Sequence, residues 1–325
     1  MELPRRAFVR LAGGAAALPF VQRTGWAQAY PSRPVKIIVG FTPGGLADLS
    51  ARMPAQVLSE RLKQQFIIEN RPGAATAIAT EAVIRSPADG YTLLQLAASV
   101  AVNQAVNEKQ SFNILADLAM VAGTITSPLI LVVHPSLPVS TVPEMIAYAK
   151  ENPGKIALAS YGTATTSHVA GELFKMMTQT NMVHVPYRGS APMLTDLISG
   201  QVLASMDTVT SSLPHIRTGK LRAIAVTTLK RSVFLPNVPT INEFLPEFDV
   251  TAWNGIAAPK GTPAAIVNKL NSEINAVFAD AAIAAKITEL GAEVLRASPA
   301  QLNAMLTADV AKWQKVVKFA NIKPE

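Results

Sequence analysis

Two short segments of the chain concentrate groups that could hold a small anion. The first is Phe41-Thr42-Pro43-Gly44-Gly45-Leu46-Ala47-Asp48. Its two glycines let backbone N–H groups turn toward a negative charge, and a helix that follows adds its positive end. No Lys-Ser/Thr pair follows the glycines and the G-x-G-x-x-G spacing is absent, so it is neither a P-loop nor a dinucleotide fingerprint. A plain turn, with Asp48 bonding the first helical turn, has the same composition. The second segment is Ser160-Tyr161-Gly162-Thr163-Ala164-Thr165-Thr166-Ser167-His168, with four hydroxyl side chains after Gly162. One hydroxyl suffices to cap a helix, and the others are free donors and acceptors. A solvated polar loop would read the same way.

Catalytic chemistry finds little support. His134, His168, His184 and His215 are scattered, and His168 with Glu172 at i, i+4 lacks a third metal ligand at suitable spacing. No G-x-S-x-G elbow is present. Asp207 follows an apolar strand and could serve as a base, or as a carboxylate bonding nearby backbone N–H groups. With no cysteine in 325 residues, disulfides, thiol nucleophiles, Cys-ligated zinc and a lipoprotein anchor are all excluded.

The elements that must position these turns alternate. Val35 to Phe41 reads as a buried strand, and Leu46, Leu49, Met53, Val57 and Leu62 then recur at helical spacing. Phe66 to Asn70 and Tyr91 to Leu96 are further strands, with a helix over 79–85 between them. Later strands are expected at 155–160, 182–186, 202–206, 223–227 and 252–258, and helices at 142–151, 169–177, 192–198 and from Thr262-Pro263 and Ser298-Pro299 onward. The uncharged run Leu118 to Val133 is short and interrupted by Pro128, so two buried strands fit it better than a membrane span. Repeated β-α-β order implies an α/β fold, with parallel sheets flanked by helices. At roughly 100–200 residues per domain the length suggests two units. The pattern divides the chain into lobe 1 (30–127 plus 252–325) and lobe 2 (128–251). Open α/β sheets bind ligands beyond the carboxyl ends of their strands, where both polar turns fall.

Residues 1–29 read as an export signal: Arg5-Arg6, the apolar stretch Leu11 to Val21, then Ala27-Gln28-Ala29 as a cleavage site. The Arg5-Arg6-Ala7-Phe8-Val9-Arg10 order is twin-arginine-like, and general secretion remains the alternative. The segment holds four Arg and one Glu, so +3 of the chain's formal +7 leaves with it and the mature chain carries +4. That is diffuse, with no basic run, and removes most support for nucleic-acid binding.

With these turns in view, the chain resembles the Bordetella uptake gene (Bug) family, the substrate-binding proteins of tripartite tricarboxylate transporters. The carrying motifs include YPSRPVKIIVGFTPGGLAD, ENRPGA, SPADGYTLL, MVHVPYRG, LTDLISGQV, LPNVPTINE and the closing ANIKPE. The resemblance implies a two-lobed periplasmic binding fold of the second topological type, without cofactor, metal or catalysis. It implies a monomer that closes on a small organic acid and delivers it to a two-subunit membrane permease. Matching positions assign Phe41, Gly44, Gly45 and Asp48 to a first-lobe loop, Ser99 beyond the third strand, and Gly162, Thr163, Thr165 and Thr166 to a second-lobe loop. Tyr187 falls in the V-P-Y-[KR]-G motif and Asp207 near the cleft floor.

The sequence departs from the family pattern in several places. Leu46 and Ala47 stand where the first loop usually has Gly and a hydroxyl, Ala75-Thr76-Ala77 replaces G-G-N, and Thr163-Ala164 replaces N-G. A pocket that has lost polar groups suits a monocarboxylate with an apolar or aromatic body, because burying an unpaired second carboxylate is costly. An enzyme on the same fold, with Asp207 or His168 as base, and a sensor that docks on a membrane receptor are the other readings.

Overall fold

The computed structural model describes residues 30–107 and 110–323; the expected export segment lies outside the described residues. Its strands are β1 (Val35–Val39), β2 (Phe66–Asn70), β3 (Thr92–Ala97), β4 (Leu118–Val133), β5 (Ala157–Ser160), β6 (Val183–Pro186), β7 (Ala204–Thr208), β8 (Arg222–Val226), β9 (Thr251–Pro259) and β10 (Glu293–Val294). The helices are α1 (Leu46–Leu62), α2 (Ala77–Ile84), α3 (Ser99–Val106), α4 (Ile114–Asp117), α5 (Val142–Glu151), α6 (Thr166–Thr178), α7 (Ser190–Ile198), α8 (Val209–Arg217), α9 (Ala264–Ala279), α10 (Ala281–Glu289) and α11 (Pro299–Ala320).

The strand order is β2-β1-β3-β9-β4-β7-β5-β6, with β10 and β8 also pairing to β4. The β-α-β units give parallel pairs, β1 with β2 and β3, and β5 with β6 and β7. Val35, Ile37, Ile38 and Val39 are all buried, as a strand covered on both faces requires. The long strands β4 and β9 run antiparallel to their neighbours.

The run 118–133 is one 16-residue strand rather than two. Its first part pairs with β9 as far as Pro128↔Thr251, and its last part with β7 from Leu129↔Thr208. Pro128 thus stands at the handover between two sheets, where a missing N–H costs least. Helix α1 runs through Pro54 without interruption. Helix α3 escapes periodicity because six of its eight residues are buried, which leaves no polar face. Helix α11 packs on α3, β4 and α6, so the end of the chain touches elements of both sheets.

Candidate functional site

Loops from the two sheets meet over a cleft that two aromatic rings divide. Phe41, just after β1, and Tyr161, just after β5, meet edge to face with ring centroids 6.0 Å apart. They are the two residues common to the walls of an inner and an outer chamber.

The inner chamber has a volume of about 40 Å³, room for a few waters. Five helices begin at its wall: α1 at Gly45-Leu46, α3 at Ala98-Ser99, α6 at Thr166, α7 at Gly189-Ser190 and α8 at Thr208. The N-caps of α1, α3 and α7 (Gly45, Ala98 and Gly189) provide no side-chain cap. Leu46, Ala47, Ala97, Ala252 and Trp253 supply apolar wall, and no Lys, Arg, Asp or Glu lines this chamber among the described residues. The Ser99 and Thr166 hydroxyls lie 3.3 Å apart, and the Thr166 N–H donates to Ser99 Oγ at 3.2 Å. A Cβ on Gly189 would overlap Thr42 Oγ1, and its φ of +137° is one that side chains avoid, so glycine is required where these loops touch.

The outer chamber, about 520 Å³, falls in the size range of small-molecule sites and opens to solvent. On one side lies the turn Pro72 to Thr76, which leads into α2; on the other lie Gly162, Thr163 and Thr165, which lead into α6. Pro186, Tyr187 and exposed Arg188 complete the rim, and Ile78 adds apolar surface. Ala74, Ala75 and Thr76 all have left-handed backbone, with φ of 43°, 47° and 76°. Such conformations cost roughly 1–2 kcal/mol per non-glycine residue, and strain of this kind persists where surrounding structure imposes it. Gly40 is part of that constraint, because a Cβ there would come within 2.7 Å of Thr76 Cβ. Thr76 Oγ1 is buried in the outer-chamber wall without a hydrogen-bond partner in the protein. Successive N–H groups in such a turn form an anion-binding concavity.

Two expected site carboxylates stand behind the walls and hold them. Asp48 accepts from Gly44 N–H at 3.1 Å, Arg52 Nε at 2.8 Å and Asn70 Nδ2 at 2.9 Å, and Asn70 also donates to the Phe41 carbonyl. Burial opposes ionisation of Asp48, but the bonds from Arg52, Asn70 and Gly44 outweigh it and hold the carboxyl below its ordinary value. Asp207 is fully buried and accepts from Ser190 Oγ and Ser212 Oγ, each at 2.8 Å. Burial pushes it up to about 6, against the bonds from Ser190, Ser212 and the Thr208 N–H. Its role in the geometry is to fix Ser190, at the start of α7.

The other expected residues divide. Ser99, Thr166 and Gly45 line the inner chamber; Gly162, Thr163, Thr165 and Tyr187 line the outer one. Gly44 faces a separate surface depression beside Ser190 and His215. Thr165 Oγ1 donates to the Gly162 carbonyl and accepts from His168 N–H, so it serves as the cap of α6. The Tyr187 hydroxyl donates to Asp196. His168 accepts from the Ala164 N–H and stacks on His184 at 3.7 Å, behind the loop; neither histidine lines a chamber. Among the described residues no group of three His, Cys, Asp or Glu could hold a metal ion.

Sequence reasoning missed Pro72–Thr76 as a wall of the site. ENRPGA was noted only as a motif, and the polar losses after it as a departure. The signal was a turn whose neighbouring Gly73 opens a left-handed run, which composition alone does not reveal.

The comparisons with known proteins agree with this architecture. A model of the tripartite tricarboxylate transporter family receptor matches residues 50–322. BugT of Bordetella pertussis is 36% identical over 300 residues, covering 91% of this chain and 92% of BugT. Among solved structures, that described as R. palustris Rpa4515 with adipate is 37% identical at a TM-score of 0.87, covering 91% of this chain and all (100%) of that one. MatC of Rhodopseudomonas palustris with bound malate is 30% identical at 0.84, covering 89% and 100%. With a family model matching most of its length and relatives of this identity along nearly all of it, the chain belongs to the tripartite tricarboxylate transporter receptor family, whose members are periplasmic solute-binding proteins.

Proposed function

We propose that this protein captures a small organic acid in the outer chamber, between lobe 1 (30–127 plus 252–325) and lobe 2 (128–251), in the periplasm. It then delivers the acid as a monomer to a two-subunit membrane permease. One observation carries the reading: a 520 Å³ chamber whose opposite walls are the turn before α2 and the loop before α6, each offering N–H groups and a helix start to an anion. Adipate in one relative and malate in another support an acid as the cargo class.

The walls favour one acid group with an apolar body. Phe41, Tyr161, Tyr187, Pro72, Pro186 and Ile78 supply aromatic and aliphatic surface, and among the described residues Arg188 is the single cation in the lining. Mass spectrometry of ligand carried through native purification should find a carboxylic acid. Thermal-shift screening should show stabilisation by benzoate-like or medium-chain monoacids. Stabilisation by citrate or succinate alone would overturn the monoacid preference, and no response to any acid would overturn the function.

A further inference from the structure

The aromatic pair dividing the cleft is not symmetrical in its consequences. Phe41 sits at the boundary, half-buried. Tyr161 is buried, lines both chambers, and lies near the Ser99 and Thr166 hydroxyls and the Ser167 N–H. Ser99 and Thr166 line the inner chamber, where five helix starts converge and about 40 Å³ is left. The phenol therefore supplies an uncharged oxygen where backbone and hydroxyl donors gather. Burial first, then the nearby Asp207 carboxylate, pushes its ionisation up, so it stays neutral at physiological pH.

We infer that Tyr161 is the residue that sets ligand length and the number of acid groups, by closing the inner chamber against the cargo. This rests on the carboxylate reading of the outer chamber. A ligand held there by its acid group reaches the Phe41–Tyr161 pair with its body and must end there. Without the ring, the outer chamber would continue into a space walled by Ser99, Thr166, Ser190, Thr208 and Asn254. Such a space is suited to a second polar or anionic end. Because Phe41 and Tyr161 come from opposite lobes, the partition exists only when the lobes are together, and an open cleft would present one undivided cavity.

Calorimetric titration with straight-chain monoacids and α,ω-diacids of four to ten carbons tests this, on the wild type, Tyr161→Phe, Tyr161→Leu and Tyr161→Ala. The wild type should prefer monoacids and show a sharp length optimum. Tyr161→Phe keeps the ring and should keep the optimum. Tyr161→Ala should move the optimum at least two carbons longer and bind the longer diacids at least tenfold tighter. Tyr161→Leu, which leaves less of a void, should do the same to a smaller degree and carries the test if the alanine variant does not fold. If the folded variants retain the wild-type length optimum and mono-to-diacid ratio, Tyr161 is not the determinant, while the carboxylate reading stands. If the wild type binds no acid at all, that reading falls and this one with it.

Discussion

The inner and outer chambers share two residues and little else. Around the inner one, polar groups bond to each other: Asp207 to Ser190 and Ser212, Ser99 to Thr166, Thr208 to Ser211. Thr42 Oγ1 in the inner wall and Thr76 Oγ1 in the outer wall both lack a partner, but in the outer wall three residues in a row are also strained, and 520 Å³ is left open. A largely satisfied polar network rigidifies, whereas backbone strain around open space marks a surface held ready for something else. If cargo sits in the outer chamber as proposed, the richest convergence of helix starts is not its place; that convergence is where loops of the two sheets meet.

If that contrast is right, changes at the inner floor should cost stability and changes at the outer wall should cost affinity. The largest expected effect is at Asp207. Alanine there leaves Ser190, Ser212 and the Thr208 N–H without their buried acceptor, at about 2–4 kcal/mol. Urea denaturation would measure it, and a loss under 1 kcal/mol would remove the inner floor from its structural role.

Acid titration gives the next effect, and it acts on the support of the outer loop. His184 bonds Ser160 and stacks on His168, near Glu172 and Lys175. Burial first, then the His168 charge, lowers it to about 3 from 6.5. A base depressed in the folded state adds stability above its unfolded value and loses it as pH falls from about 6.5 toward 3. The slope attributable to it is up to about 1.4 kcal/mol per pH unit. Asp207, raised to about 6, works the other way: its contribution is full below 3.8 and lost as pH rises through about 6. His184→Gln should therefore flatten the acid limb of a stability–pH curve, and an unchanged limb would show that the pair does not titrate with folding.

On the outer wall, Thr163→Val should weaken acid binding by about 1–2 kcal/mol with unchanged stability, read by calorimetry and melting together. Arg188→Ala, at the exposed rim, should cost only about 0.2–1 kcal/mol of affinity and do so chiefly at low salt. An effect of similar size to that at Arg188 is a gain. Ala75→Gly relieves a left-handed residue and should raise stability by roughly 0.5–1 kcal/mol. A loss instead would mean that the Ala75 side chain is worth more in the wall than its strain costs.

Much of the fold was legible because buried strands and amphipathic helices print their periods. Val35 to Phe41, Phe66 to Asn70 and the helix after Ser298-Pro299 are examples. Helix α3 was not, since burial on nearly all sides erases the period, and α8 was not, since Pro214 and three hydroxyls disguise it. At the site, the sequence located the two polar turns but could not assign depth. Asp48 and Asp207 could each be read as a ligand group or as a carboxylate bonded to its own surroundings, and the coordinates show both bonded from behind. Tyr161 was an unremarked member of its segment, and nothing in its spacing tells that its ring crosses the cleft.

The position of β9 has a consequence for how the chain is made. It lies between β3 and β4, so the first sheet has a gap at its centre until residues 251–259 arrive. All the strands of the second sheet are complete by Val226. During synthesis the second sheet can therefore close first, while the first waits with unpaired strand edges for β9, which comes late in the chain. Pairing at such sequence separation is slow. A chaperone that meets this protein unfinished will meet the first sheet with its β3 and β4 edges bare.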